Sequence, residues 1–207
     1  MKILTYPLGE LQANCYFLIQ DKDCVIIDPG DSADFILEEM SRNNLQVKAI
    51  IATHGHFDHV MAIGELKMSL NVPVYISSKD RFLLDRVEET AKYFLGHAPV
   101  VIPISDTIDL KGGQFQILNF KFQILETPGH TPGSVCIHIE EEGTLFTGDT
   151  LFKDGIGRYD FSYSNKQELY SSIKHLIKEF PEETLAYPGH GDPTTLGEEE
   201  KKLGNLF

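Results

Sequence analysis

The stretch that most constrains this 207-residue chain is residues 53–60, Thr-His-Gly-His-Phe-Asp-His-Val. Four of its eight residues carry metal-ligating side chains: His54, His56, Asp58 and His59. With 8 His in the chain, chance produces His-x-His-x-Asp-His on the order of once in a thousand such chains, so accidental clustering is a poor account. The apolar run 47–52 precedes the stretch and reads as a buried strand. The ligands therefore begin where a strand ends, which is where α/β folds place binding sites. Gly55, between the first two histidines, is expected to lend the loop conformations that other residues avoid. Imidazole nitrogen and carboxylate oxygen together suit zinc, iron or manganese, and no thiolate is close enough in sequence to favour a purely structural zinc site.

Three more candidate ligands sit at predicted strand ends. His130 lies in TPGHTPG (127–133), Asp149 in TGDT (147–150) and His190 in YPGHG (187–191). Gly or Pro flanks each of them, which places each on a rigid turn rather than on a helix face.

The periodicity around these motifs alternates. Residues 1–6, 14–20, 24–27, 47–52 and 72–76 read as strands, with Pro7 and Gly9 in the first loop. Asp31 or Ser32 is expected to cap a helix running to Arg42, and a second helix is expected over 59–70. Asp28, at the end of the 24–27 strand, is either a hydrogen-bond partner of the histidine loop or a plain turn residue. Residues 78–99, charged and carrying Phe82, Tyr93, Phe94 and His97, read as a helical insertion with an apolar stripe. Strands follow at 107–110, 114–118, 121–126, 134–140, 144–146 and 184–187. A helix over 166–180 opens on a capping box of Ser164 and Gln167. The pattern predicts a layered α/β fold, two sheets with helices outside, in one domain spanning 1–207.

Composition narrows the partners. A formal net charge of −13 disfavours nucleic acid and anionic membrane surfaces and points to a small-molecule partner. Cys15, Cys24 and Cys136 form no CxxC pair and lie in apolar runs, so reduced core thiols in a reducing compartment are expected. No signal peptide is expected, because the N-terminus lacks a basic region followed by an apolar run. The apolar runs are too short to span a bilayer, so a cytoplasmic location is expected.

With these motifs assembled, the sequence resembles the metallo-β-lactamase fold superfamily, and within it the glyoxalase II-like (hydroxyacylglutathione hydrolase-like) single-domain hydrolases. The motifs carrying the resemblance are Asn14-Cys15-Tyr16, Asp28-Pro29-Gly30, His54-x-His56-x-Asp58-His59, TPGHTPGS (127–134), GDTLF (148–152) and PGHG (188–191). The resemblance implies a four-layer αββα sandwich with the metals at one edge. It implies that His54, His56 and His130 hold one ion, that Asp58, His59 and His190 hold a second, and that Asp149 bridges them. It implies two divalent ions, zinc first, with iron or manganese as alternatives. A hydroxide shared by ions about 3.5 Å apart would attack a thioester, with Asp58 orienting it.

Two departures qualify the likeness. The longer glyoxalase II proteins carry a C-terminal helical domain that helps to bind glutathione, whereas residues 194–207 leave room for only a short helix. The glutathione pocket is therefore expected to be incomplete or built differently. The loop 153–160 is similar to that of the shorter members, and Lys153 and Arg158 in it are candidate contacts for an anionic substrate, with a loop-holding ion pair as the alternative for Arg158. Tyr159 in the same loop, His138 and His175 are read as structural, while His97 is either structural or a substrate contact. Competing functions are a mononuclear iron persulfide dioxygenase using His54, His130 and Asp149, a lactonase or phosphodiesterase, and a non-catalytic metal-binding module.

Overall fold

The computed structural model describes residues 1–204. The end of the expected C-terminal segment, residues 205–207, lies outside them. The chain divides into two units, Met1–Asp109 and Leu110–Phe207.

In the first unit, β1 (Lys2–Leu8), β2 (Ala13–Gln20) and β3 (Asp23–Ile27) form an antiparallel meander. The chain then alternates through α1 (Ala33–Arg42), β4 (Gln46–Ile51), α2 (Phe57–Val60), α3 (Ile63–Ser69), β5 (Val74–Ile76), α4 (Arg81–Leu84), α5 (Val87–Leu95) and β6 (Thr107–Asp109). Strands β3 to β6 are parallel, and the six-stranded order is β1-β2-β3-β4-β5-β6. Burial follows position. Inner strand β2 buries seven of its eight residues, while edge strand β1 buries one of its seven. The helical residues Ile36, Met40, Ile63 and Leu66 close over Phe17, Ile26, Ile50 and Val74 in one core, each such side chain contributing about 1.5–3 kcal/mol.

Several boundaries differ from the sequence expectation. Pro7 lies inside β1, opposite Asn14, which an edge strand tolerates because its outer N–H has no ladder partner to lose. The helix expected over 59–70 is broken at residues 61–62. The break has a cause: the Ala62 N–H donates to Pro29 O at 3.3 Å, which ties the chain back to the β3–α1 turn. Ser32 precedes α1 with φ 55° and makes no side-chain cap. Residues 107–109, expected to open the second β run, instead pair in parallel with β5.

In the second unit, β7 (Gly113–Ile117), β8 (Phe120–Glu126), β9 (Val135–Ile139) and β10 (Thr144–Gly148) run antiparallel. A two-stranded hairpin, β11 (Leu151–Phe152) and β12 (Gly155–Ile156), leads to α6 (Lys166–Glu179). Strand β13 (Leu185–Pro188) pairs in parallel with β10, and β14 (Thr194–Thr195) and α7 (Leu196–Leu203) complete the unit. The sheet order is β14-β13-β10-β9-β8-β7. Leu169, Ile173, Leu176 and Phe180 on or just after α6 pack with Leu125, Cys136, Leu145 and Ala186. His138 is buried in β9, its ring 4.4 Å from that of Phe180, a packing role as expected.

The N-terminus of α6 is capped by Asn165 rather than by Ser164. Asn165 Oδ1 accepts the N–H groups of Gln167 at 3.0 Å and Glu168 at 3.2 Å. Asn165→Ala is therefore expected to lower unfolding free energy by about 1 kcal/mol. Urea unfolding that shows no loss would remove the cap from the account of this helix.

Candidate metal centre

The first unit supplies one set of donors. Strand β4 ends at Ile51, and the chain turns through 52–56 into the single turn of α2. His54 and His59 are fully buried, and His56 and Asp58 are partly buried. His54 Nε2 lies 3.1 Å from His56 Nδ1, and the His54 ring centroid lies 4.2 Å from that of His59. A carboxylate oxygen of Asp58 is 3.9 Å from His59 Nε2.

A hydrogen-bond chain fixes which nitrogens face one another. Asp28 is 1 % exposed and accepts the Thr53 N–H at 2.6 Å, the Thr53 hydroxyl at 2.6 Å and His59 Nδ1 at 3.0 Å. Having donated to Asp28, the Thr53 hydroxyl accepts from His54 Nδ1 at 3.1 Å. Both histidines thus carry their proton on Nδ1 and present Nε2 as a lone pair, the arrangement that ligating histidines need. Asp28 is a partner of the loop rather than a plain turn residue. Its own φ of 52° is a left-handed conformation that aspartate tolerates.

A second carboxylate holds the same loop. Asp80, fully buried just ahead of α4, accepts the Gly55 N–H at 2.8 Å. A Cβ on Gly55 would stand 2.9 Å from Leu83 Cβ and 3.0 Å from Asp80 Cβ. Gly55 does not adopt a positive φ. It is required for the close approach of these two residues, not for the backbone freedom expected from the sequence. The helices over 78–95 thus support the histidine loop. His97 beyond them pairs with Glu10 at 2.7 Å on the surface.

The second unit supplies the remaining donors. Asp149 follows β10, His130 lies between β8 and β9, and His190 follows β13. The Asp149 carboxylate has an imidazole at each oxygen: His130 Nε2 at 3.4 Å from Oδ2 and His190 Nε2 at 3.9 Å from Oδ1. His130 donates from Nδ1 to the main-chain carbonyl of Arg158 at 2.8 Å, which again leaves Nε2 to ligate. Ser164, displaced from its expected capping role, donates its hydroxyl to His130 O at 2.7 Å. Gly157 permits the contact, since a Cβ there would stand 1.8 Å from Asp149 O and 3.2 Å from His130 Nδ1. Imidazoles that present Nε2 beside carboxylates, as His54, His59 and His130 do, fit Zn²⁺, Fe or Mn.

The two substrate candidates sit differently from one another. Lys153, 43 % exposed, makes one ion pair with Asp192 at 3.1 Å. Arg158 makes two hydrogen bonds to Asp160, at 2.9 and 2.8 Å, and its guanidinium lies 4.5 Å above the Phe161 ring. The Arg158 hydrogen bonds hold the Asp160 carboxyl below its ordinary pKa. Tyr159 is exposed, with Lys166 Nζ over its ring at 5.3 Å, and His175 is exposed on α6. Asp80 and the Arg158 carbonyl had no signal in the motifs, and Thr53 and Ser164, which stood in them, were not assigned these roles. Their roles depend on partners 25 or more positions away or on main-chain atoms.

The three cysteines are free and buried. Burial pushes the Cys24 and Cys136 thiols up to about 12, and the Cys15 thiol also upward, so none is a thiolate near neutrality. No described helix is long and apolar enough to cross a membrane.

The chain is similar to known proteins along nearly its whole length. The metallo-beta-lactamase superfamily model matches residues 8–190. A hydroxyacylglutathione hydrolase, GloC, of Haemophilus influenzae is 35 % identical over 204 residues, covering 97 % of this chain and 96 % of that one. The crystal structure of TTHA1623 in a di-iron-bound form is similar with a TM-score of 0.89 at 36 % identity, covering 96 % of this chain and 98 % of that one. The crystal structure of the B3 metallo-beta-lactamase BLEG-1 matches with a TM-score of 0.89 at 35 % identity, covering 97 % of each chain.

Proposed function

The chain belongs to the metallo-β-lactamase superfamily and has its mixed α/β fold of two sheets and helices, consistent with the αββα sandwich, and we propose that it is a two-metal hydrolase of thioesters. Its membership and its relatives support a metal-dependent hydrolase. The thioester as substrate is our reading, carried over from the hydroxyacylglutathione hydrolase relative. The observation that carries the metal chemistry is the wiring of three buried histidines. His54, His59 and His130 each give Nδ1 to an oxygen acceptor, which a histidine that merely fills a core has no need to do.

In this reading His54, His56 and His130 hold one ion, Asp58, His59 and His190 hold the other, and Asp149 serves both. Zinc is the first candidate, and the di-iron form of TTHA1623 makes iron the next. When bound, such ions lower the pKa of a water to near 7 and polarise the acyl carbonyl. Asp58 orients the attacking water, and Asp28 and the Arg158 carbonyl keep the ring nitrogens in register. The substrate is a small molecule, in keeping with the acidic net charge of −13.

Lys153 is favoured over Arg158 for an anionic end of the substrate. Its single exposed pair with Asp192 is weak and exchangeable. Arg158 would have to give up two hydrogen bonds and a ring contact. Lys153→Ala is expected to lower kcat/KM for S-lactoylglutathione about tenfold or more, the weight of one hydrogen bond to a charged group, and to spare an uncharged thioester. Equal losses on both substrates would remove Lys153 from recognition.

The test of the whole reading is a substrate panel on metal-analysed protein: a glutathione thioester, an uncharged thioester, a lactone, a phosphodiester, a β-lactam and a persulfide. Thioester hydrolysis with close to two ions per chain is expected. Persulfide-dependent oxygen uptake by protein holding one iron would overturn it in favour of the dioxygenase. Preferential turnover of another ester class would replace the substrate and leave the hydrolase.

A further inference from the structure

A buried carboxylate outside the ligand set, Glu199 on α7, is hydrogen-bonded through both of its oxygens. It is 0 % exposed. Its Oε2 accepts the main-chain N–H of Asp154 at 2.8 Å, and its Oε1 accepts the Thr194 hydroxyl at 2.7 Å and Lys202 Nζ at 3.3 Å. Lys202 also pairs with the Asp154 carboxylate. Asp154 and Lys153 are the two turn residues of the β11–β12 hairpin, in which Leu151 faces Ile156 and Phe152 faces Gly155. Asp154 has φ 63°, a left-handed conformation that aspartate tolerates as a single turn residue. The buried Glu199 carboxyl accepts the N–H of this turn residue and so restrains the turn.

The hairpin connects two parts of the site. At its start Leu151 O accepts the Thr147 hydroxyl at 2.7 Å, two residues from Asp149. At its end Gly157 packs on Asp149 O, and the next residue supplies the carbonyl that orients His130. At its tip Lys153 points its amine toward Asp192. A displaced turn would move the tip most, because the strands are short and both ends are pinned.

The geometry points to Glu199 as a positioning residue that fixes the β11–β12 turn, so that Lys153 is presented to the anionic end of the substrate. This rests on the proposed thioester reading for its substrate and on the hydrogen bonds alone for the clamp. C-terminal helix α7, which contributes no ligand, thereby acts on specificity.

The experiment compares Glu199→Ala with Glu199→Gln in metal-loaded full-length protein. Glu199→Gln keeps an acceptor oxygen for the Asp154 amide. Glu199→Ala is expected to raise KM for S-lactoylglutathione about tenfold, with kcat and the KM of an uncharged thioester changed by less than about threefold. Glu199→Gln is expected to restore most of the loss. Adding Lys153→Ala to Glu199→Ala should cost little more, since the two changes remove the same contact. A KM rise shared by both substrates, or no rise, overturns the positioning role. Should Glu199→Ala fail to fold, Glu199→Asp, with its carboxylate withdrawn by one methylene, carries the same comparison. Should the wild-type protein hydrolyse no thioester, the proposed function falls, and hydrogen exchange at the Asp154 amide decides the clamp. Exchange at least about tenfold faster in the variant supports it, and unchanged exchange overturns it.

Discussion

Asp149→Asn is expected to empty the metal centre and to lower kcat/KM for the preferred thioester about a thousandfold, the kinetic weight of several kcal/mol of lost charge stabilisation. The expectation follows from the two-sided setting of this carboxylate. His130 stands 3.4 Å from one oxygen and His190 3.9 Å from the other, so a single side chain serves donors on both sides. An amide has the same shape but lacks the charge, and it turns an N–H₂ toward one of the two imidazoles. The fold should persist, because the amide has the shape of the carboxylate and leaves no cavity. Elemental analysis beside unfolding curves separates the outcomes. Loss of metal with a stable fold is expected. Two retained ions with wild-type turnover would refute Asp149 as a shared ligand.

How much of this was legible follows from what kind of atom does the work. The candidate ligands could be picked out because the His54–His59 cluster follows an apolar run and His130, Asp149 and His190 each stand at a strand end flanked by Gly or Pro. That pattern survives without knowledge of any contact. The groups that orient them could not. Asp80 reaches Gly55 across 25 positions, and nothing near either residue announces the other. His130 is oriented by a main-chain carbonyl, which any residue at position 158 would supply. The sequence drew attention to the Arg158 side chain, which pairs with Asp160, while its main-chain carbonyl, which no motif singled out, orients His130. The strand at 107–109 was recognised as a strand but assigned to the wrong β run, because pairing with β5 is a long-range choice that propensity does not carry. The helix break at 61–62 was hidden for the same reason. The apolar positions continue through it, and only the hydrogen bond from Ala62 to Pro29 interrupts the ladder.

That bond belongs to the Asp28-Pro29-Gly30 turn, each residue of which acts on the histidine loop through a different group. Asp28 offers its carboxylate to Thr53 and His59, and Pro29 offers its carbonyl to Ala62. Gly30 offers the absence of a side chain. A Cβ on Gly30 would stand 1.5 Å from Asp58 O and 2.5 Å from Asp58 C. Both obstacles are backbone, so no rotamer change relieves them, and α2 with Asp58 and His59 would have to move bodily away. Gly30→Ala is therefore expected to cost more than about 4 kcal/mol, the range reserved for severe steric disruption. Any folded fraction should have lost the ion that Asp58 and His59 are proposed to hold. Gly155→Ala is the control, since no heavy atom lies within 4 Å of its Cβ position and its φ is not positive. Its cost should be small. Urea unfolding and metal content measured on both variants test the contrast. A Gly30→Ala protein with the stability and metal content of the wild type would show that the turn and α2 do not meet as closely as this, and would detach the Asp-Pro-Gly motif from the metal site.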